Sequence, residues 1–327
     1  MLLTKKLSNS IRPALALGLA GLVTQTCLMA ATCAPAPAGI VAWWPGNGDA
    51  GDIAGTNSGS FINESYDNAE VGQGFSLDGS GNIFVRASAT LDLGQSNGMT
   101  LEAWINPSDV SAGAPILEWA LPGTYGVHFW VSGSTAGSLY ANLFGIDNVS
   151  RSIESNGGLL TANVFQHVAV TYDKSSGIAR LFLNGVVVKL STLGTFTPRT
   201  SPNFYIGYRP DGSPFGPIGF VGIIDEVTLY SRALGTNEVL AIYNAGASGK
   251  CAVPIPSPSL NIALTNQNIV LDWPASATNF ALEVTYGSLL PAGTWTNLAV
   301  SPVLTNNENV VTLPFDPPTR FFRLHHL

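Results

Sequence analysis

The sequence predicts an all-β protein: a two-sheet jelly roll carrying one short helix, followed by a second small β-sandwich. Three observations support this. Short strand-like segments recur from residue 39 to 246, broken by Gly, Asn, Asp and Ser. Gly39-Ile40-Val41-Ala42-Trp43-Trp44 and Gly222-Ile223-Ile224-Asp225-Glu226-Val227-Thr228-Leu229-Tyr230 read as the opening and closing strands of one unit. Finally, 35 Gly and 21 Pro in 327 residues, with 11% charged side chains, make a turn-rich and weakly charged chain. That length is too great for one ordinary core and implies two domains.

The N-terminus reads as a signal peptide over residues 1–31. Lys5, Lys6 and Arg12 form its basic region, Pro13 to Val23 its apolar region, and cleavage is expected within Ala30–Thr32. Beyond it no run approaches the roughly 18 apolar residues needed to span a bilayer. The mature chain is therefore expected to be secreted or held at the cell surface, without a transmembrane segment. Cys27 leaves with the signal peptide, and Cys33 and Cys251 are expected to pair as a clasp across the two ends of the first unit.

Within that unit Thr100-Leu101-Glu102-Ala103-Trp104-Ile105 alternates and stops at Asn106-Pro107, and Gln166 to Tyr172 alternates up to Asp173. Asn184-Gly185 lies between the apolar arms Leu181-Phe182-Leu183 and Val186-Val187-Val188, which predicts a type I′ hairpin because both turn positions need positive φ. Phe204 to Tyr208 and Phe220 to Leu229 add further strands. Gly235-Thr236-Asn237-Glu238 starts a helix, with Glu238 where the helix dipole favours negative charge, and Asn244 to Gly246 ends it.

Several blocks then follow in order: Trp43-Trp44-Pro45-Gly46, Phe75-Ser76-Leu77-Asp78-Gly79, Leu101 to Ile105, His167 to Asp173, Leu183-Asn184-Gly185, and Ile224-Asp225-Glu226-Val227 with Arg232-Ala233-Leu234. This series resembles the laminin-G-like, concanavalin-A-like jelly roll of exported bacterial proteins over residues 38–247. The resemblance implies two curved antiparallel sheets and leaves the ligand open. Residues 252–258, with spaced prolines, read as an extended linker. Residues 259–327 resemble a small fibronectin-type-III-like β-sandwich, with strand-like segments at Leu260–Leu264, Ile269–Trp273, Phe280–Thr285, Val310–Leu313 and Phe321–Leu324.

The net charge of −7 argues against nucleic acid and against an anionic membrane surface, both of which need a basic face. No catalytic residues are expected. Glycoside hydrolysis needs two facing carboxylates, whereas Asp225 and Glu226 are adjacent on a strand, pointing to opposite faces, and Glu102 stands alone. No Gly-x-Ser-x-Gly elbow occurs, and His128 and His167 have no evident partner. With His325 and His326 these histidines lack metal-ligand spacing. Relatives of the resembled family often bind one calcium ion, which would fall to Asn47, Asp49, Asp52 and Asp225. Alternatively, the two loop aspartates are turn formers and Asp225 pins the terminal strands. Trp119, Tyr125, His128, Trp130 and Tyr140 could form a sugar-stacking platform or could be core. Trp43 and Trp104 are assigned to core, and Asn203, Arg209 and Asp211 could line a rim. The expected function is an exported, non-catalytic binding or adhesion protein that recognises carbohydrate or an extracellular protein. A purely structural surface module and a hydrolase of the same fold are the alternatives.

Overall fold

A computed structural model describes residues 33–63, 65–121, 123–210, 217–251, 258–275, 277, 280–287, 295–315 and 319–326. The proposed signal peptide, most of the linker and Asp211 lie outside the described residues.

Two antiparallel sheets form the sandwich. The eight-stranded sheet runs Val186–Thr192, Ile178–Leu183, Gln166–Asp173, Gly98–Pro107, Val221–Tyr230, Gln73–Asp78 and Tyr66–Asn68, with Ile40–Trp44 also paired to Val221–Tyr230. The seven-stranded sheet runs Ser152–Glu154, Leu139–Asn142, Thr124–Val131, Ala114–Leu121, Asn203–Ile206, Asn82–Val85 and Ser60–Ile62. Successive side chains on a strand point to opposite faces. Leu101, Val168, Leu181 and Ile224 from the first sheet therefore meet Leu117, Phe129 and Phe204 from the second in one core.

The opening and closing strands lie side by side, Ile40 opposite Tyr230 and Trp44 opposite Val227. The closing strand pairs with Phe75–Asp78 through Val221–Ile224 before it meets the opening strand. Between these partners the ladder breaks over Asp225 to Thr228, and Glu226 takes φ 57°, a bulge that re-aims its side chain. The expected hairpin forms with φ 51° at Asn184 and 77° at Gly185.

The helix spans Thr236–Ala245. Glu238 accepts a hydrogen bond from the Gly235 N–H at 2.8 Å and pairs with Arg232 at 2.6 Å, which holds the first turn. Val239 and Ile242 pack with Ala169, Phe182, Tyr230 and Leu234 in a second, smaller core. The helix thus covers the outward face of the eight-stranded sheet. Trp43 and Trp104 are buried, as expected, yet neither belongs to the core between the sheets. They lie on this outer face, where Trp104 packs 5.7 Å from Tyr243 of the helix.

The C-terminal residues form a four-stranded sheet (Asn261–Thr265, Asn268–Pro274, Glu308–Pro314, Val303–Thr305) and a three-stranded one (Thr296–Asn297, Phe280–Tyr286, Arg320–His326). Leu271, Trp273, Leu282, Val311 and Leu313 make their common core.

Candidate functional site

Strand register places a row of side chains across the outward face of the seven-stranded sheet. Phe84 is opposite Tyr205, Tyr205 opposite Glu118, Glu118 opposite His128, and His128 opposite Asn142. Neighbouring strands lie about 4.8 Å apart, so these residues lie side by side in one band. A second row sets Trp130 opposite Tyr140 and Tyr140 opposite Glu154.

Glu118 is the centre of this face and is fully buried. Its Oε1 accepts from Arg209 Nε at 3.0 Å and Nη2 at 2.8 Å, and its Oε2 from Trp130 Nε1 at 2.8 Å. Burial pushes the Glu118 carboxyl up to about 7, against the opposing pull of the Arg209 charge and the Trp130 hydrogen bond. Arg209 comes from the short ribbon Tyr208–Arg209 with Ile218–Gly219, and its guanidinium lies 4.3 Å from the Trp130 ring centre and 5.7 Å from that of Tyr125. Burial, then the Arg209 charge, lowers His128 to about 3. The ring is therefore neutral, and its Nδ1–H donates to the Gly126 carbonyl at 3.1 Å. Around this floor stand half-buried aromatics: Tyr205 5.4 Å from Phe84 and 6.4 Å from Tyr208, with Tyr125 and Tyr140 flanking His128. Glu154 accepts from Ser134, Thr135 and Ser138 and so closes the adjoining loop.

Four of the five aromatic candidates, Tyr125, His128, Trp130 and Tyr140, are gathered on this face. Trp119 is not. It is fully buried in the core, 4.6 Å from Phe204, because it follows Glu118 on the same strand and so takes the opposite face. Glu118, Phe84 and Tyr205 were missed. The strands' alternation shows each facing away from the core, but their alignment into one row needs the strand order. Asn203 accepts from the Ala87 N–H at 3.0 Å at the edge of the same face.

The residues expected to hold calcium divide. Both Asp52 oxygens are taken: Oδ1 by the N–H groups of Trp43, Ala54 and Gly55, and Oδ2 by Asn57. Asp52 clamps its loop, as the turn-former alternative expects, and offers little to a cation. Asp49 is exposed and caps the Gly51 N–H. Asn47 and Asp225 instead flank one turn, accepting from Gln73 N–H at 2.8 Å and Val71 N–H at 2.9 Å. Asp225 Oδ1 is buried without a partner among the described residues, which fits a cation ligand. Among the described residues no three His, Cys, Asp or Glu side chains converge as a metal cluster.

The outer face of the other sheet carries a buried ionic network that reverses three expectations. His167 does have a partner, since its Nε2 lies 2.8 Å from Glu102 Oε2. Glu102 does not stand alone: Tyr230 OH donates to it at 2.9 Å, and Lys250 Nζ sits at 3.3 Å. Glu226 does not simply oppose Asp225, because the bulge lets it accept from Lys250 Nζ at 3.0 Å and from Trp43 Nε1 at 3.0 Å. Burial opposes the Glu102 charge, yet Lys250, His167 and Tyr230 together hold its carboxyl down at about 2. The clasp Cys33–Cys251 is formed, with Cα atoms 4.8 Å apart, immediately beside Lys250.

No curated protein matches the chain. Among solved structures, the binding domain of Paraclostridial Mosquitocidal Protein 1 aligns at TM-score 0.50 and 13% identity, over 79% of this chain and 63% of that one. Domain 4 of AbnA, a GH43 extracellular arabinanase from Geobacillus stearothermophilus solved with arabinotriose, aligns at 0.47 and 18% identity, over 62% and 97%. The botulinum neurotoxin serotype D binding domain, solved with N-acetylneuraminic acid, aligns at 0.48 and 12% identity, over 80% and 68%. At these identities the likeness is one of fold. A family profile described as the concanavalin A-like lectin/glucanases superfamily, of laminin-G type, matches residues 77–240. With half its length inside that match and a two-sheet sandwich built around it, the chain belongs to the concanavalin A-like lectin/glucanase superfamily.

Proposed function

We propose that the protein is an exported, non-catalytic binding protein that holds carbohydrate on the outward face of its seven-stranded sheet. The supporting observation is the band of half-buried aromatics over the Glu118–Arg209–Trp130 floor. Sugar rings stack on aromatic faces, and a rigid, hydrogen-bonded floor keeps those faces in place without an ordering cost at binding. The non-catalytic reading is supported by the carboxylates of this face. Glu118 is committed to Arg209 and Trp130, and Glu154 to its loop, so neither presents a free oxygen for acid-base work. The remaining parts of the reading are a signal peptide over residues 1–31, a linker at 252–258 and a fibronectin-type-III-like unit at 259–327. The disulfide suits an oxidising, extracellular setting. Among the described residues no helix is long and apolar enough to cross a membrane.

A glycan-array screen of the protein from residue 32 onward tests this. Binding to a defined oligosaccharide should weaken about tenfold in Tyr205→Ala and in Tyr140→Ala, with melting temperature little changed. Binding that survives both substitutions would move the ligand off this face. An array with no binder would favour an extracellular protein ligand or a structural module.

Calcium is proposed as a ligand of Asp225 and Asn47. At a hundredfold excess over its dissociation constant it should stabilise the fold by about 2.7 kcal/mol. Asp225→Ala should abolish that gain in a thermal titration. An unchanged melting temperature across millimolar calcium would remove the ion from the account.

A further inference from the structure

A cavity of about 350 Å³ opens on the far side of the molecule from the aromatic band, over the eight-stranded sheet. Its lining comes from widely separated stretches of sequence: Glu70 before the Gln73–Asp78 strand, Trp104, Phe165, Asn184 of the hairpin turn, and Tyr243 and Asn244 at the end of the helix. This volume lies in the range of small-molecule sites. We propose that the cavity binds a small organic cation, a protonated amine on an apolar or flat body.

The argument is electrostatic and geometric. Among the described residues no Lys or Arg lines the cavity, and Glu70 is its single charged group. The Glu70 carboxylate accepts no hydrogen bond among the described residues, so its charge is available to a ligand. Asn244 brings the carbonyl end of the helix to the wall, the pole that attracts cations. The buried Lys250 is paired with both Glu102 and Glu226. Half-buried Phe165 and Tyr243 supply aromatic surface, whose negative faces favour a cation over a neutral body of the same shape, and buried Trp104 packs beneath Tyr243. A free carboxylate, a helix carbonyl pole and two accessible rings, with no competing positive side chain among the described residues, are suited to an ammonium group and poorly suited to an anion.

Benzylamine and its neutral counterpart benzyl alcohol separate this reading from simple hydrophobic uptake. The protein from residue 32 onward should bind benzylamine saturably at neutral pH, read by calorimetry. Benzyl alcohol should bind at least about tenfold more weakly. Glu70→Gln should weaken benzylamine about tenfold, and its melting temperature should match wild type because that carboxylate holds nothing in the fold. Phe165→Leu should also weaken it while leaving glycan binding on the opposite sheet unaffected. Equal binding of amine and alcohol, unaltered affinity in Glu70→Gln, or no saturation at tens of millimolar would each overturn the proposal. None of these outcomes bears on the aromatic band, which lies on the other sheet.

Discussion

Lys250→Ala should destabilise the protein by about 3–5 kcal/mol, because it removes the ammonium that Glu102 and Glu226 share and leaves Glu226 buried without a cation. Lys250 is 6% exposed, and its ammonium reaches both carboxylates and lies 4.8 Å from the Trp43 ring centre. Equilibrium denaturation measures the loss. The double variant Lys250→Met with Glu226→Gln should lose much less than the sum of the two single changes, since it removes both an ion and its partner. A loss below about 1 kcal/mol in Lys250→Ala would show that water reaches the network and screens it. The same network sets the response to acid. Glu102 has its folded pKa depressed to about 2 from a reference of 4.5. Its stabilisation is therefore present above about pH 4.5 and is lost as pH falls towards 2. That difference corresponds to roughly 3 kcal/mol. Glu102→Gln should flatten the acid limb of the stability profile, and an unchanged limb would assign acid unfolding to other carboxylates.

Removing the disulfide should be comparably damaging. Cys33 and Cys251 are 218 residues apart, and a closed loop of that length restricts the unfolded chain by roughly 5 kcal/mol in the chain-entropy description. The bond also fixes the strip of backbone that delivers Lys250. Ala34 N–H donates to Gly249 O at 2.9 Å, and Cys251 N–H donates to Ala34 O at 2.7 Å. Cys33→Ser with Cys251→Ser should therefore lower stability by several kcal/mol, and adding Lys250→Ala should cost less than it does in the oxidised protein, because both act through one strip. A thiol assay on protein unfolded without reductant should find neither cysteine free. Strict additivity would separate the clasp from the ionic network.

The two large predictions concern features that were unequally legible. The cysteine pair could be read from position alone, since the two residues bracket the strand pattern of a chain that reads as exported. The ionic network could not. Glu102, His167 and Lys250 each look unpartnered along the chain, and the bulge at Glu226 breaks the alternation that placed its side chain opposite Asp225. The aromatic band shows the same division within one strand. Trp130 faces outward and Phe129 inward, whereas Trp119 turns into the core because its neighbour Glu118 holds the outer face. Asp52 reads as a metal ligand in a Gly/Asp/Asn loop, and only folded backbone reveals that its oxygens are spent on that loop's own N–H groups.

By itself the sequence determined the β architecture, the meeting of the first and last strands of the jelly roll, the Asn184-Gly185 turn, the helix and the clasp. Each follows from local periodicity, turn chemistry or the position of a residue type, which act over a few residues or at the ends of a unit. Tertiary structure alone decided which strands neighbour one another, and therefore that Phe84, Tyr205, Glu118 and His128 form one row and that Lys250 lies between two glutamates. Those contacts join residues far apart in the chain through sheet order and a bulge, and neither leaves a periodic trace in the sequence.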